Sequence, residues 1–440
     1  MHFAPLLVLL LVASLLETAV SLFLSRRQIA HVQAHRDLVP TDFADTVSIE
    51  EHHKAADYTV AHERLDMLRS VGGWIVGAAW LLAGFDLLYG GLAAVIPPSI
   101  GRSVAFVLGA AIIGTLLSLP ARVYETFVIE RRFGFNRTTP AMFVADLLKG
   151  AAISLVIAVP LLAGCFWLMR HASGLWWLYV WLGVVVLMVT APAVYVSLIA
   201  PRFNRFDPLP EGELRAAITT LMQECGFRAS ALFTMDASKR STHGNAYFIG
   251  FGRTKRIVLF DTLVDSSPIS EVRAVIAHEL GHFRHRHVLF GMLRGAITVF
   301  CALAAFGWLA HQPWLLPALG ITHTDDALSL TACVLCWSLI GPFGNLLDNW
   351  LSRKHEFQAD DFARRHAGAD PMVSALVRLS RENASTLTPD PWYALYHYSH
   401  PPVPLRVARL RERAALPEPV TPESCVSVGN QSAPDLRAAS

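Results

Sequence analysis

Apolar residues along this chain gather in runs of about twenty, the length a helix needs to cross a bilayer. Seven such runs cover 4–24, 71–96, 104–121, 148–169, 175–199, 288–311 and 327–348, and they predict seven transmembrane helices. The first run has no basic segment before it. It ends in Ser25-Arg26-Arg27 rather than a small-residue cleavage site, so it reads as a retained span and not a signal peptide. Glu17, Asp86 and Lys149 lie in or beside the runs. Ionisable groups at that depth face a bundle interior or a wet cavity. For Lys149, snorkelling to an interface fits equally well.

Two stretches break the apolar pattern. Residues 200–287 open with a turn-rich linker, Pro201 to Pro210, followed by an amphipathic helical pattern from Glu211 to Cys225. Residues 245–263 alternate like two strands around a basic turn, and Ser270 to His287 reads as a helix. Residues 350–415 are helical and charged, and 416–440, rich in Pro, Ser and Ala, reads as a disordered tail. The expected divisions are 1–199 with five spans, 200–287, 288–349 with two spans, 350–415, and the tail. Lys and Arg collect in alternate connections, at Arg26 to Arg69, Arg122 to Arg137, after the fifth span and after the seventh. The positive-inside rule then puts both polar stretches in the cytoplasm, where they can pack as one domain, with the N-terminus outside.

Composition sharpens this picture. Of 440 residues, 53% are hydrophobic and 16% charged, against about 25% charged in ordinary soluble proteins. A net charge of +2 gives no bulk reason to expect nucleic acid as a partner. Cys333 and Cys336 form a CxxC, but they sit in an apolar run without a second pair, which reads as packing rather than a metal or redox site.

The chemistry concentrates in Ala277-His278-Glu279-Leu280-Gly281-His282. On a helix, residues four apart share a face, so both imidazoles can reach one zinc ion, with Glu279 beside it to take a proton from water. A catalytic zinc needs a third protein ligand. Glu356 and Asp360, again four apart, are the candidates, one for the metal and the other to hold a ligating imidazole. His355 is a rival that points off that face, and His285 and His287 read as polar residues at the membrane interface.

Several blocks, in order, resemble the type I CAAX prenyl proteases, integral-membrane zinc endopeptidases. They are Phe23 to Gln28, Thr126 to Glu130 with Gly134 to Asn136, Ala200 to Asn204 with Pro208 to Gly212, and Ser238 to Phe248. Arg256 to Leu263, the HELGH motif, Glu356 to Asp360, and Tyr398 to Pro402 with Arg406 complete the series. The resemblance implies a mainly helical membrane protein whose seven spans enclose a chamber, with a zincin-like domain containing a small sheet. It implies one Zn2+ per chain held by His278, His282 and Glu356, Glu279 as general base, and Asp360 in support. His400 and Arg406 would lie over the site, and Asn245, Ala246, Tyr247 and Phe248 would form the edge on which an extended substrate lies. The implied substrate is a peptide or prenylated protein, cleaved near its C-terminus, and the implied setting is the lipid bilayer. Val403 and Pro404 depart from the family pattern, and no endoplasmic reticulum retrieval signal closes the chain. The expected membrane is therefore that of the endoplasmic reticulum or a bacterial inner membrane, and nothing in the residues fixes an oligomeric state. Two alternatives have features that count against them. A heat-shock-type membrane metalloprotease would have fewer spans and lack the blocks at 126–136 and 398–406. A scaffold or transporter with a structural zinc would close the fourth metal position with Cys or His, whereas this chain keeps Glu279.

Overall fold

A computed structural model describes residues 4–227, 231–249 and 256–416. Apart from Leu416, the expected tail lies outside the described residues. The membrane rods outrun their apolar cores. Helix α1 is Pro5–Ala34. Helix α2, Ile49–Ala79, starts at a capping box of Ser48 and Glu51 and continues through one π-helical stretch into α3, Phe85–Ala93. Helix α4 is Ile100–Tyr124, prolonged by a second π-helical stretch to Glu130. Helix α5 is Pro140–His171, and α6 is Trp176–Val194.

The chain then leaves the rods to build a sheet. Strand β1, Phe206–Pro208, is followed by helix α7, Glu213–Glu224, and by strands β2, Ala231–Met235, β3, Ala246–Ile249, and β4, Arg256–Phe260. The order is β1-β2-β4-β3, with β2 and β4 parallel and the other pairs antiparallel. Strand β3 is thus an edge, with Ala246 opposite Leu259 and Phe248 opposite Ile257. Helices α8, Asp261–Ser266, and α9, Ile269–Arg284, follow, and the chain re-enters the rods as α10, His287–Leu309.

The last span differs from the simple run expected over 327–348. Helix α11, Asp326–Ser338, meets α12, Gly341–Ala367, at a 55° bend. Pro342 in the first turn of α12 explains the break, because its ring clashes with a preceding helical turn and it has no N–H to donate. Among the described residues, six helical segments are long and apolar enough to cross a membrane, and the bent pair makes up to seven. Helix α12 runs without interruption across the expected boundary at 349/350, carrying one rod straight into the polar half. Helices α13, Ala369–Glu382, α14, Pro391–His397, and α15, Val403–Ala415, complete that half.

Packing is concentrated at two places. At the end of the rods remote from the sheet, Phe106, Phe166, Trp176, Phe306 and Cys333 join one apolar cluster with Leu315 and Leu319 of the 310–325 connection. Asp86 anchors that connection by accepting from Thr322 N–H and the Thr322 hydroxyl at 3.1 and 2.8 Å. The other cluster is the core of the catalytic half, where Ile218, Ile257, Leu259, Ile276, Leu280 and Val407 are fully buried. Between them, no more than 11% of any single-rod apolar window is buried. A solid bundle buries a stripe along every helix. The rods therefore stand around an interior rather than fill it. Glu17, Arg69, Trp74 and Ser338 line a cavity of about 390 Å³ among them.

Candidate metal centre

The crossing of α9 over α12 makes the site, and Gly281 permits the crossing. A Cβ at Gly281 would lie 2.9 Å from Ala359 Cα and 3.0 Å from Phe362 Cβ, closer than side chains tolerate. Glycine inside the motif thus lets two backbones touch, which brings the α9 imidazoles onto the α12 carboxylates. The Nε2 atoms of His278 and His282 come within 3.2 Å of each other. Glu356 Oε2 lies 3.4 Å from His278 Nε2, and Oε1 lies 3.3 Å from His282 Nε2. Among the described residues, these three are the group of His, Cys, Asp or Glu whose ligand atoms converge, all within 4.8 Å.

The donor set suits a metal. Glu356 is buried, yet its Oε2 has no hydrogen-bond partner. Leaving a buried carboxylate oxygen unsatisfied is costly, and a cation among the three side chains would satisfy it. Two imidazoles and a carboxylate are also a set that divalent zinc accepts in catalytic sites, leaving a fourth position open.

Outer residues orient this group. Asp360, 1% exposed, accepts from His278 Nδ1 at 2.9 Å, leaving His278 Nε2 as the lone-pair nitrogen toward the centre. Arg406 from α15 clamps Asp360 with a fork, Nε to Oδ2 at 2.8 Å and Nη2 to Oδ1 at 2.6 Å. Burial opposes charge on Arg406, but the Asp360 carboxylate outweighs it and keeps the guanidinium firmly protonated. Glu279 lines the groove beside the centre, and its burial lifts its pKa above the usual carboxylate value against the pull of nearby histidines. A carboxylate so placed is a stronger base than one in water.

The groove holding these groups has a volume of about 380 Å³. Asn245, Ala246 and Phe248 lie along it, with Leu263, Met372 and Leu376 adding apolar wall. Tyr247 turns to the other face of the sheet, where its ring packs edge-on to Phe260. His400 reaches in from the loop before α15, its Nε2 3.4 Å from Glu356 Oε1.

Comparison with known proteins places the chain. Residues 28–205 match the family model described as CAAX prenyl protease N-terminal, five membrane helices, and residues 208–414 match Peptidase family M48. The CAAX prenyl protease 1 homolog of Oryza sativa subsp. japonica is 36% identical over 315 residues, 71% of this chain and 73% of that one. The chain belongs to the type I CAAX prenyl protease family. The homolog of Arabidopsis thaliana is 32% identical over 385 residues, covering 85% of this chain and 89% of its own length. The crystal structure of S. mikatae Ste24p aligns with a TM-score of 0.86 at 27% identity, covering 93% of this chain and 99% of that one. The protein is a multi-pass membrane metalloendopeptidase, which sets aside both the scaffold and the heat-shock-type alternatives.

Two further histidines of this protease stand beside the candidate ligands. His287, read as a polar residue at the membrane interface, is 7% exposed, and its Nδ1 lies 3.1 Å from His282 Nδ1. His355 stacks on the His287 ring at 4.0 Å instead of joining the ligand group. Sequence reasoning missed His287 because residues five apart on a straight helix point about 140° away from each other. Arg286, at φ 58°, breaks the helix with a left-handed residue and turns His287 back onto His282. Gly281 and Gln358 were missed as well. The signal for Gly281 was present, since a glycine in a helix interior is unfavourable without a packing reason.

Proposed function

We propose that this protease holds one Zn2+ between His278, His282 and Glu356 and cleaves extended peptides near their C-termini, with prenylated CAAX proteins as the preferred class. The observation that carries the reading is the convergence of two Nε2 atoms on a buried carboxylate whose Oε2 accepts no hydrogen bond, with His278 Nε2 at 3.4 Å and Arg406 Nη1 at 3.5 Å. Bound there, zinc would supply Lewis acidity to a scissile carbonyl and lower the pKa of water. Glu279 takes the proton from the attacking water and passes it to the leaving amine. Asp360, fixed by Arg406, holds His278 in the tautomer that turns Nε2 inward. His400 at the mouth of the groove donates to the oxyanion as it develops. The free edge of β3 aligns the substrate by main-chain hydrogen bonds, which tolerate many side chains.

The hollow arrangement of the rods supports the substrate class, because a lipid-modified tail can enter from among apolar helices while compact domains cannot. The basic connections support a cytoplasmic site in an endoplasmic reticulum or bacterial inner membrane. The test compares three substrates by mass spectrometry: a prenylated C-terminal peptide, its bare twin and a stable folded protein. Slow cleavage of the bare peptide, faster cleavage of the prenylated one and none of the folded protein is expected. Efficient digestion of the folded protein overturns the enclosed site. Cysteines introduced over 312–324 should label from the side of the membrane opposite the cytoplasm, and one at Asp207 should not. The reverse pattern overturns the orientation.

A further inference from the structure

The two histidines of the HELGH motif are supported differently. Behind His278 stands a carboxylate, Asp360, held by a guanidinium. Behind His282 no acid stands among the described residues. Instead, its Nδ1 meets His287 Nδ1 at 3.1 Å, and His287 Nε2 meets the Gln358 carbonyl oxygen, Oε1, at 2.8 Å.

This short chain of contacts has one consistent proton arrangement. An amide oxygen only accepts, so His287 Nε2 carries the hydrogen. A neutral imidazole has one N–H, so His287 Nδ1 is a lone pair. The nitrogen facing it, His282 Nδ1, must then be the donor. That leaves His282 Nε2 as the lone pair, aimed at His278 Nε2 and Glu356. We infer that Gln358 and His287 form a neutral relay that fixes the tautomer and ring angle of His282, making His287 a positioning residue of the metal centre.

The backbone is built for it. Arg286 in the left-handed conformation separates α9 from α10, so the first residue of the membrane rod, rather than a loop, supports the ligand. His355 stacks against one side of His287 at a centroid distance of 4.0 Å, which limits rotation of the ring. Gln358 lies on α12 between Glu356 and Asp360. One helix therefore supplies a putting-together of three groups: a candidate ligand, the acid behind His278 and the amide behind His287. The relay ties His282, which stands on α9, to the rods α10 and α12.

The inference rests on His282 being a ligand, and the experiment separates the two. Full-length protein in detergent is titrated with a chelator of known zinc affinity, and bound zinc is read by elemental analysis. His282→Ala should lose zinc, and retention there overturns the ligand reading itself. His287→Leu, which removes the acceptor, should weaken zinc about 10- to 100-fold. His287→Gln, which restores an amide acceptor, should recover most of that loss. Gln358→Leu should weaken zinc by a smaller factor, and adding it to His287→Leu should cause no further loss, because the two act through one chain of contacts. If His287→Leu does not fold, Gln358→Leu against Gln358→Glu, which keeps an acceptor, carries the test. Wild-type zinc affinity in folded His287→Leu, or additive losses in the double variant, overturns the relay while His282→Ala still validates the ligand.

Discussion

Val272, Ala274, Ile276 and Ala277 on α9 are each no more than 1% exposed, whereas Leu87, Leu148 and Val156 on the membrane rods are 72%, 65% and 75% exposed. The same classes of residue thus do opposite jobs. On α9, close packing sets the position of two imidazoles to a fraction of an ångström, because dense cores deform little. On the rods, apolar side chains face lipid or the interior, and their contribution is to be compatible with a membrane rather than to fit a neighbour. Catalysis should therefore be brittle on one side of the molecule and tolerant on the other.

Glu279→Gln carries the largest expected effect. It removes the proposed base while leaving the candidate ligands intact, so kcat should fall about a thousandfold with zinc retained. Val156→Ala, on an exposed rod position, should leave kcat unchanged. The measurement is turnover of a peptide substrate alongside metal content. Near-normal turnover in Glu279→Gln would remove the mechanism, and a collapse in Val156→Ala would remove the contrast.

Glycine gives a sharper pairwise test, since the same change is made in both regions. Gly281→Ala forces a Cβ into the α12 backbone, and overpacking of that kind costs about 1–3 kcal/mol. It should also weaken zinc, by moving Glu356 away from the imidazoles. An added Cβ at Gly164 or Gly183 meets nothing within 4 Å, so alanine there should be neutral or slightly stabilising, as it is in helix interiors generally. Thermal unfolding in detergent decides it. Equal destabilisation at Gly281 and Gly164 would show that the rods are as tightly fitted as the catalytic crossing.

The same contrast explains what was legible from residues alone. The spans were visible because a bilayer demands long apolar runs whatever the packing. His278, His282 and the Glu356–Asp360 pair were visible because helical spacing of four is a local rule. The bend before α12 was not foreseen, although Gly341-Pro342 carried it, because the apolar run passes smoothly over the break. His287, Gln358 and the Gly281 contact depend on how α9, α10 and α12 cross, and no spacing along one helix reports a crossing. The β3 edge was readable as a strand, but its position outside β4 follows from the parallel pairing of β2 with β4, a long-range fact.

The seam between the two regions should show the smallest effect and the most specific one. His243 stands three residues before the start of the β3 edge and lies 3.6 Å from Glu130, the last residue of the rod that begins with α4. Its Nδ1 pairs with Asn383 at 2.9 Å, and its ring stacks on Phe135, with Lys54 over the same Phe135 ring. Glu130 also accepts from Tyr58 and His62 at 2.7 and 3.1 Å. The bond to Glu130 raises the His243 pKa above 6.5, against burial and the opposing charge of Lys54, while Asn383 adds to the rise. A raised histidine pKa stabilises the folded arrangement fully below the unfolded value and loses that contribution as pH climbs through the folded value. The tie between rod and edge strand should thus be intact at pH 6 and weaken as pH rises through the raised value. With the edge in its proposed role of positioning substrate, the change should appear in KM and not in kcat. A partly exposed pair of this kind contributes on the order of 1 kcal/mol, so the rise in KM should stay below about tenfold. His243→Gln keeps a polar partner for Asn383 but cannot become a cation. Its KM should be raised already at pH 6 and should stay flat as pH increases. A pH-dependent rise in KM that persists unchanged in His243→Gln would assign the titration to another group and leave the seam without an electrostatic role.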